Sequence, residues 1–269
     1  MPLFALALAL GSAVLHAVWN LLLGRARDVQ AATAATILLS VAIALPFAIT
    51  WWHADRSVWP WALASTLLET VYVITLAASY QLAEVSVAYP LSRGLAPVIV
   101  LGVSALALSH RVTPTELAGV FAVGIGVSMV RSSSLDLHGR VLLLAVTLAA
   151  TIAAYTLVDR VGIHRASALT YFVLTLAGPC LVFPPLVGYR SVVRAVDRAV
   201  AAAALANLGS FTLGLLALRH ASAASVLAVR SSSVVIATVL AGRVLSEQVS
   251  RTRLAGSVLV FAGIVLLAA

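Results

Sequence analysis

"LSHRVTPTELAGVFAVGIG", Leu108 to Gly126, returns 137 residues later as "LSEQVSRTRLAGSVLVFAG", Leu245 to Gly263. Ser109 falls on Ser246, Gly119 on Gly256 and Gly126 on Gly263, and at the same shift Arg93 falls on Arg230. A chain rich in Ala, Val and Leu gives chance matches easily, but not this set of Arg, Ser and Gly. The repeat divides the chain into two halves, 1–134 and 135–269, each with about five apolar spans. An odd number of spans inserts the second half upside down relative to the first. Inverted repeats of this kind recur in secondary transporters, where the substrate site lies near the midplane between them.

The composition leaves no room for a soluble domain. The chain is 62% hydrophobic and 10% charged, with a mean hydropathy of +1.09, where a soluble domain is about 25% charged. Apolar runs of a length that crosses a bilayer recur along it. The expected fold is all-α and integral to the membrane, with ten helices. They cover roughly Leu3–Leu23, Ala31–Trp52, Trp59–Leu82, Val85–Leu108, Thr115–Val130, Gly139–Val158, Ala166–Val187, Ala199–Leu218, Ser222–Val244 and Thr252–Ala268. The first of these resembles a signal peptide at a glance. It lacks a basic leader and carries His16, Trp19 and Asn20, so it reads as a retained first helix.

All 17 basic residues are Arg, mostly in short connections, and the net charge of +8 fits loops at lipid headgroups rather than nucleic-acid binding. Cys180 is the single cysteine, so neither an internal disulfide nor a CxxC metal site is available. There is no GxxxxGK[ST] loop, no HExxH and no GxSxG, so the motifs of an ATP-driven pump, a zinc hydrolase and a serine hydrolase are missing. No cofactor is expected.

Polar residues inside the spans are the functional candidates. "VAYPLSRGLAP", Val87 to Pro97, buries Arg93 between Pro90 and Pro97. It lies roughly 12 Å along its helix, where a charge costs at least about 2.5–3.5 kcal/mol unless it meets a partner or a wet cavity. The two prolines free the carbonyls of Ser86 and Arg93, so the helix is expected to break there, beside a polar cavity. Tyr89 shares the Arg93 face. Arg230, in "LAVRSSSVV", has serines where its mate has prolines, and these bond backbone without breaking it. Two arginines make the cavity positive, which suits a carboxylate-bearing substrate held bidentately. The alternative is a pair of structural arginines neutralised by protein acids.

Glu69 is the carboxylate placed well inside a span, with Tyr72 on the same face. It is either a proton-coupling site or an arginine's counter-ion. His16, Trp19 and Asn20 sit at i, i+3 and i+4, suiting interhelical hydrogen bonding or substrate contact. Tyr155 lies near the repeat position of Trp19, so aromatics flank the cavity from both halves. Asp159, beside Arg160, reads as an interfacial ion pair, and Asn207 and Ser210 are secondary candidates. Gly119, Gly126, Gly256 and Gly263 give smooth helix faces for close packing, a homodimer contact included.

Ten spans in two halves, "LHAVWN" in the first helix, "VAYPLSRGLAP" in the fourth and "LSEQVSRTRLAGSVLVFAGIVLL" at the end together resemble the drug/metabolite transporter superfamily, EamA type. The resemblance covers essentially the whole chain. It implies export or exchange of small metabolites and leaves the substrate open among amino acids, sugars, nucleotide-sugars and drugs. The family's Glu corresponds to Glu247, while the first half has His110 at that place.

The expected function is therefore a secondary transporter of a small polar or anionic metabolite, multi-pass in the cell (inner or plasma) membrane. The rivals are a membrane-embedded enzyme using Glu69 or His16 as acid/base on a lipid-linked substrate, and a non-transporting scaffold. Ten arginines follow odd-numbered spans and five follow even ones, which places the N-terminus outside. The family resemblance implies cytoplasmic termini, so the two expectations conflict.

Overall fold

The computed structural model describes residues 1–107, 113–132, 139–244 and 249–267. Glu247 and His110, with Ser109 and Ser246, lie outside the described residues. Twelve α-helices follow in order among the described residues. They are α1 Leu3–Gly24, α2 Val29–Thr50, α3 Trp59–Leu82, α4 Val85–Ala107, α5 Pro114–Ser132, α6 Gly139–Gly162, α7 Ala168–Val187, α8 Tyr189–Arg194, α9 Arg198–His220, α10 Ala223–Arg230, α11 Ser233–Val244 and α12 Arg251–Leu267. No β-strand occurs among the described residues beyond one isolated bridge. The protein is an all-helical, multi-pass membrane protein. Seven helical stretches among the described residues are long and apolar enough to cross a membrane, and Pro114–Val130 is a shorter apolar one. In hydrocarbon every backbone polar group needs an internal partner, and a helix supplies it locally.

The helix starts follow capping chemistry. Asp28, Ser167, Asp197 and Ser222 accept from the backbone N–H groups of Ala31, Thr170, Val200 and Ser225, at the heads of α2, α7, α9 and α10. Exposed Trp51, Trp52 and Trp59 cluster between α2 and α3, where amphipathic rings suit the headgroup level.

The interruption falls on the opposite arginine from the one expected. α4 runs unbroken through Pro90 and Pro97, whereas the helix around Arg230 stops there and restarts at Ser233. A proline in a helix interior costs about 3 kcal/mol. Releasing a turn of backbone in a membrane costs several kcal/mol for each unpaired group, so α4 continues. After Arg230 the serines supply alternative partners. Ser231 Oγ donates to Leu227 O (2.7 Å) and Ser233 Oγ to Arg230 O (2.6 Å), and the chain turns on Ser232 N–H to Val229 O (3.1 Å).

The large helix interfaces cross between the two expected halves. α5 packs on α12, α1 on α9, α3 on α6 and α7, α4 on α6, and α2 on α7. Shifted by the repeat, α1–α9 becomes α6–α3, and α4–α6 becomes the packing of α10 and α11 on α1. The mates α5 and α12 run antiparallel, with Gly119 at Gly263 and Gly126 at Gly256. A Cβ on Gly126 would lie 2.6 Å from Gly256 O, and one on Gly119 2.8 Å from Gly263 O. The four glycines thus meet one another inside the chain, which removes them as the dimer surface they were read to offer.

Because backbone cannot retreat as a flexible side chain does, Gly126→Leu should cost more than the 1–3 kcal/mol typical of overpacking. The check is the thermal midpoint of the detergent-solubilised protein. Gly124→Ala, with nothing within 4 Å of its Cβ, should leave the midpoint unchanged or raise it slightly.

Candidate functional site

A cavity lies at the meeting of α1, α2, α3, α6, α7, α9 and α10. His16, Trp19, Glu69, Tyr72, Tyr155, Asp159 and Arg230 line it, with Asn207 and Ser210. Its free space is about 30 Å³, room for one or two waters. Six of the nine residues expected at the site line it. Arg93, Tyr89 and Asn20 stand directly behind the wall.

Arg93 is buried and hydrogen-bonds the His16 ring at Nε2. Its guanidinium carbon lies 5.7 Å from the Tyr89 ring centroid, within cation–π range. Its Nη1 has no hydrogen-bond partner. Arg230 reaches the cavity from α10, and its Nε is likewise buried without a partner. Gly214 on α9 clears the space, since a Cβ there would sit 3.1 Å from the Arg230 guanidinium. Tyr89 joins the two arginine elements by donating to Ser233 Oγ (2.8 Å).

His16 faces more donors than it can serve. Its Nδ1 accepts from Trp19 Nε1–H (3.1 Å) and lies 3.3 Å from Ser210 Oγ. Trp19 and Arg93 can only donate, and a neutral imidazole offers one acceptor nitrogen. The ring therefore serves one of them at a time, and its tautomer decides which. Asn20 bonds within the bundle. It accepts from Tyr80 Oη (2.6 Å) and donates to His16 O (2.7 Å), tying α1 to α3.

Two carboxyl groups face the arginines. Glu69 is buried and makes no hydrogen bond or ion pair among the described residues, so it is not an arginine's direct counter-ion here. Asp159 departs from the expected surface pair with Arg160. It is buried and accepts from Ser65 Oγ (2.6 Å) and Tyr171 Oη (3.1 Å). Arg160 instead contacts His164. Gly162 lets Tyr171 reach in, because a Cβ there would overlap the phenol. Asp159 looked peripheral because it closes its helix in the sequence. The Ser65–Glu69 spacing of one turn on α3, facing α6, brings it inward. The cavity thus has two guanidinium and two carboxyl groups around it and is bipolar rather than simply positive. Tyr72 and Tyr155 pack edge to face between them, ring centroids 5.6 Å apart.

Both ends are tied across the halves. At the end bearing Phe4 and His220, whose rings meet at 5.5 Å, residues 53–55 pair with 165–167. Asp55 N–H donates to Arg165 O and Ser167 N–H to His53 O, both at 2.8 Å. Arg219 clamps this bridge by donating to Ile163 O (2.7 Å) and Ala166 O (2.5 Å). At the opposite end Arg253 on α12 pairs with Glu84 and donates to Ser86 Oγ (2.8 Å).

These features define a polytopic membrane protein with a polar chamber sealed inside a helical bundle. The chain belongs to the EamA-like transporter family, which matches it over residues 3–132 and again over 139–269. A solved crystal structure is similar over 97% of this chain and 95% of its own, with a TM-score of 0.67 and 16% identity. At that identity the likeness concerns the fold alone. No curated protein matches the chain in sequence.

Asp159→Ala should strand two buried hydroxyl donors. The expected loss is about 1–3 kcal/mol, read as a lower thermal midpoint in detergent. Asp159→Asn keeps an acceptor and should recover most of it.

Proposed function

We propose that the protein is a secondary transporter, an exporter or exchanger of a small polar or anionic metabolite. It would work by alternating access of two inverted five-helix halves in the cell membrane, inner or plasma. The observation that carries the reading is a pair of buried guanidinium nitrogens without a partner, Arg93 Nη1 directly behind the chamber wall and Arg230 Nε at it, with the buried Glu69 carboxyl lining the same chamber. Unpaired polar groups at membrane depth are costly. A ligand that supplies their partners recovers that cost, and a carboxylate meets a guanidinium in paired hydrogen bonds. Glu69 and Asp159 on the facing helices suit a donor group at the ligand's other end.

The antiparallel packing of the mates α5 and α12 supports the inverted relation of the halves, which an odd number of crossings in each half produces. The two ends are unequal, as a transporter caught on one side of its cycle would be. Residues 53–55 and 165–167 are bridged, whereas their repeat equivalents, the α1–α2 turn and the α8–α9 connection, flank an open pocket of about 480 Å³. A chamber of about 30 Å³ does not hold a metabolite, so the ends must part for loading.

Sealed proteoliposomes loaded with labelled amino acids, organic acids and phosphorylated metabolites test the site. Saturable flux should fall at least tenfold in Arg93→Ala and Arg230→Ala. Glu69→Gln should lose dependence on a pH gradient if protons are coupled. Folded Arg93→Ala protein carrying the substrate at the wild-type rate would make the arginine structural and refute the site.

The bridge offers a second test. Ala54→Cys with Ala166→Cys, in a Cys180→Ala background, places two thiols on directly paired residues, within disulfide range. Oxidation should arrest flux and a reductant restore it. Unchanged flux through the oxidised protein would mean that this end never opens.

A further inference from the structure

We propose that the surface pocket between the α1–α2 turn, α8 and the start of α9 binds the anionic headgroup of a membrane lipid. This goes beyond transport and does not depend on it. The pocket, about 480 Å³, has a floor of Leu22, Ala26 and Ala32 and a rim that includes Arg27 and Arg194. Its two acids also serve as helix caps. Asp28 accepts from Ala31 N–H (3.0 Å) and Asp197 from Val200 N–H (2.8 Å), each capping its own helix. Arg27, Arg190, Arg194 and Arg198 make no side-chain hydrogen bond or ion pair among the described residues, and all four are exposed. Four exposed arginines against these two acids leave the rim and its surroundings with a net positive charge over an apolar floor.

α8 selects a lipid rather than a soluble anion. Gly188, at φ 96°, adopts a backbone conformation that other residues rarely reach. It ends α7 there and lets α8 begin at once as a separate helix packed on α2 and α7. Val192 is buried beneath α8, while Tyr189, Val193 and Val196 are 62%, 72% and 49% exposed beside Arg190 and Arg194. Large exposed apolar side chains flanking arginines form the pattern of a segment lying in the headgroup layer, where apolar groups meet acyl chains and cations meet phosphate. A site for a free anion would have no use for them.

The test is native mass spectrometry of the whole purified protein with equal amounts of phosphatidylglycerol and phosphatidylcholine of identical acyl chains. Each arginine near an anionic headgroup contributes about fivefold. Wild type should therefore retain the anionic lipid at least about tenfold over the zwitterionic one. Arg27→Gln with Arg194→Gln should bring the ratio close to one, and Arg27→Lys with Arg194→Lys should keep most of the preference. If the double variant is not monodisperse, Arg27→Gln alone, on an exposed turn, should lower the ratio about fivefold. Arg56→Gln at the opposite end should leave it unchanged. Equal retention of the two lipids by wild type, or loss of preference in Arg56→Gln to the same degree, would overturn the proposal. So would displacement of the lipid by about 10 mM inorganic phosphate, which would mark a soluble-anion site.

Discussion

A guanidinium cannot lie bare in hydrocarbon, and the centre of this molecule is arranged around two of them. Arg93 and Arg230 are buried within the bundle, and no carboxylate pairs directly with either among the described residues. Arg93 leans on the His16 ring and the face of Tyr89. Arg230 occupies space that Gly214 leaves open. Each keeps one buried nitrogen without a hydrogen-bond partner, Nη1 of Arg93 and Nε of Arg230. The surrounding helices must supply a polar interior or the fold would not insert. They do so by facing Glu69, Asp159, His16, Tyr72 and Tyr155 onto one small chamber.

The two halves share one core. Each major interface joins a helix of one half to a helix of the other, and the interfaces map onto each other under the repeat. The departures from that symmetry carry the chemistry. One arginine follows a proline in a continuous helix and the other ends a helix at a run of serines. One pair of connecting loops is bridged and the equivalent pair stands open. A two-fold arrangement with these asymmetries has two distinguishable ends, which is what the proposed alternating access requires.

Much of the fold was legible in the sequence. Long apolar stretches and the matched Arg, Ser and Gly positions led to an all-helical protein in two related parts, and a helix covers each expected stretch, the ninth in two pieces. The lining of the candidate chamber was legible where a polar residue stood deep inside an apolar run, as Glu69 and His16 do. Asp159 was missed because depth along the chain is not depth in the bundle. It closes its helix in the sequence, yet Ser65 and Tyr171 hold it inward. The helix break was assigned to the wrong arginine because proline's missing N–H is visible in a sequence. The alternative partners that serine hydroxyls give a turning backbone depend on the fold around them.

By itself the sequence determined which segments are helical and lipid-solvated, because hydrophobicity and the need to pair backbone locally act within each segment. It also determined that the two parts are related and that charge is buried at matched places. Only the tertiary structure decided which polar groups share the chamber, where the helix gives way and which pair of loops is bridged. Those outcomes depend on the rotation and pairing of helices many residues apart. The pattern of a single helix specifies its apolar and polar faces but not the neighbour each face meets. The glycines show the difference most directly. Their spacing announced a close contact, and the fold spent it on α5 against α12 rather than on a second copy of the chain.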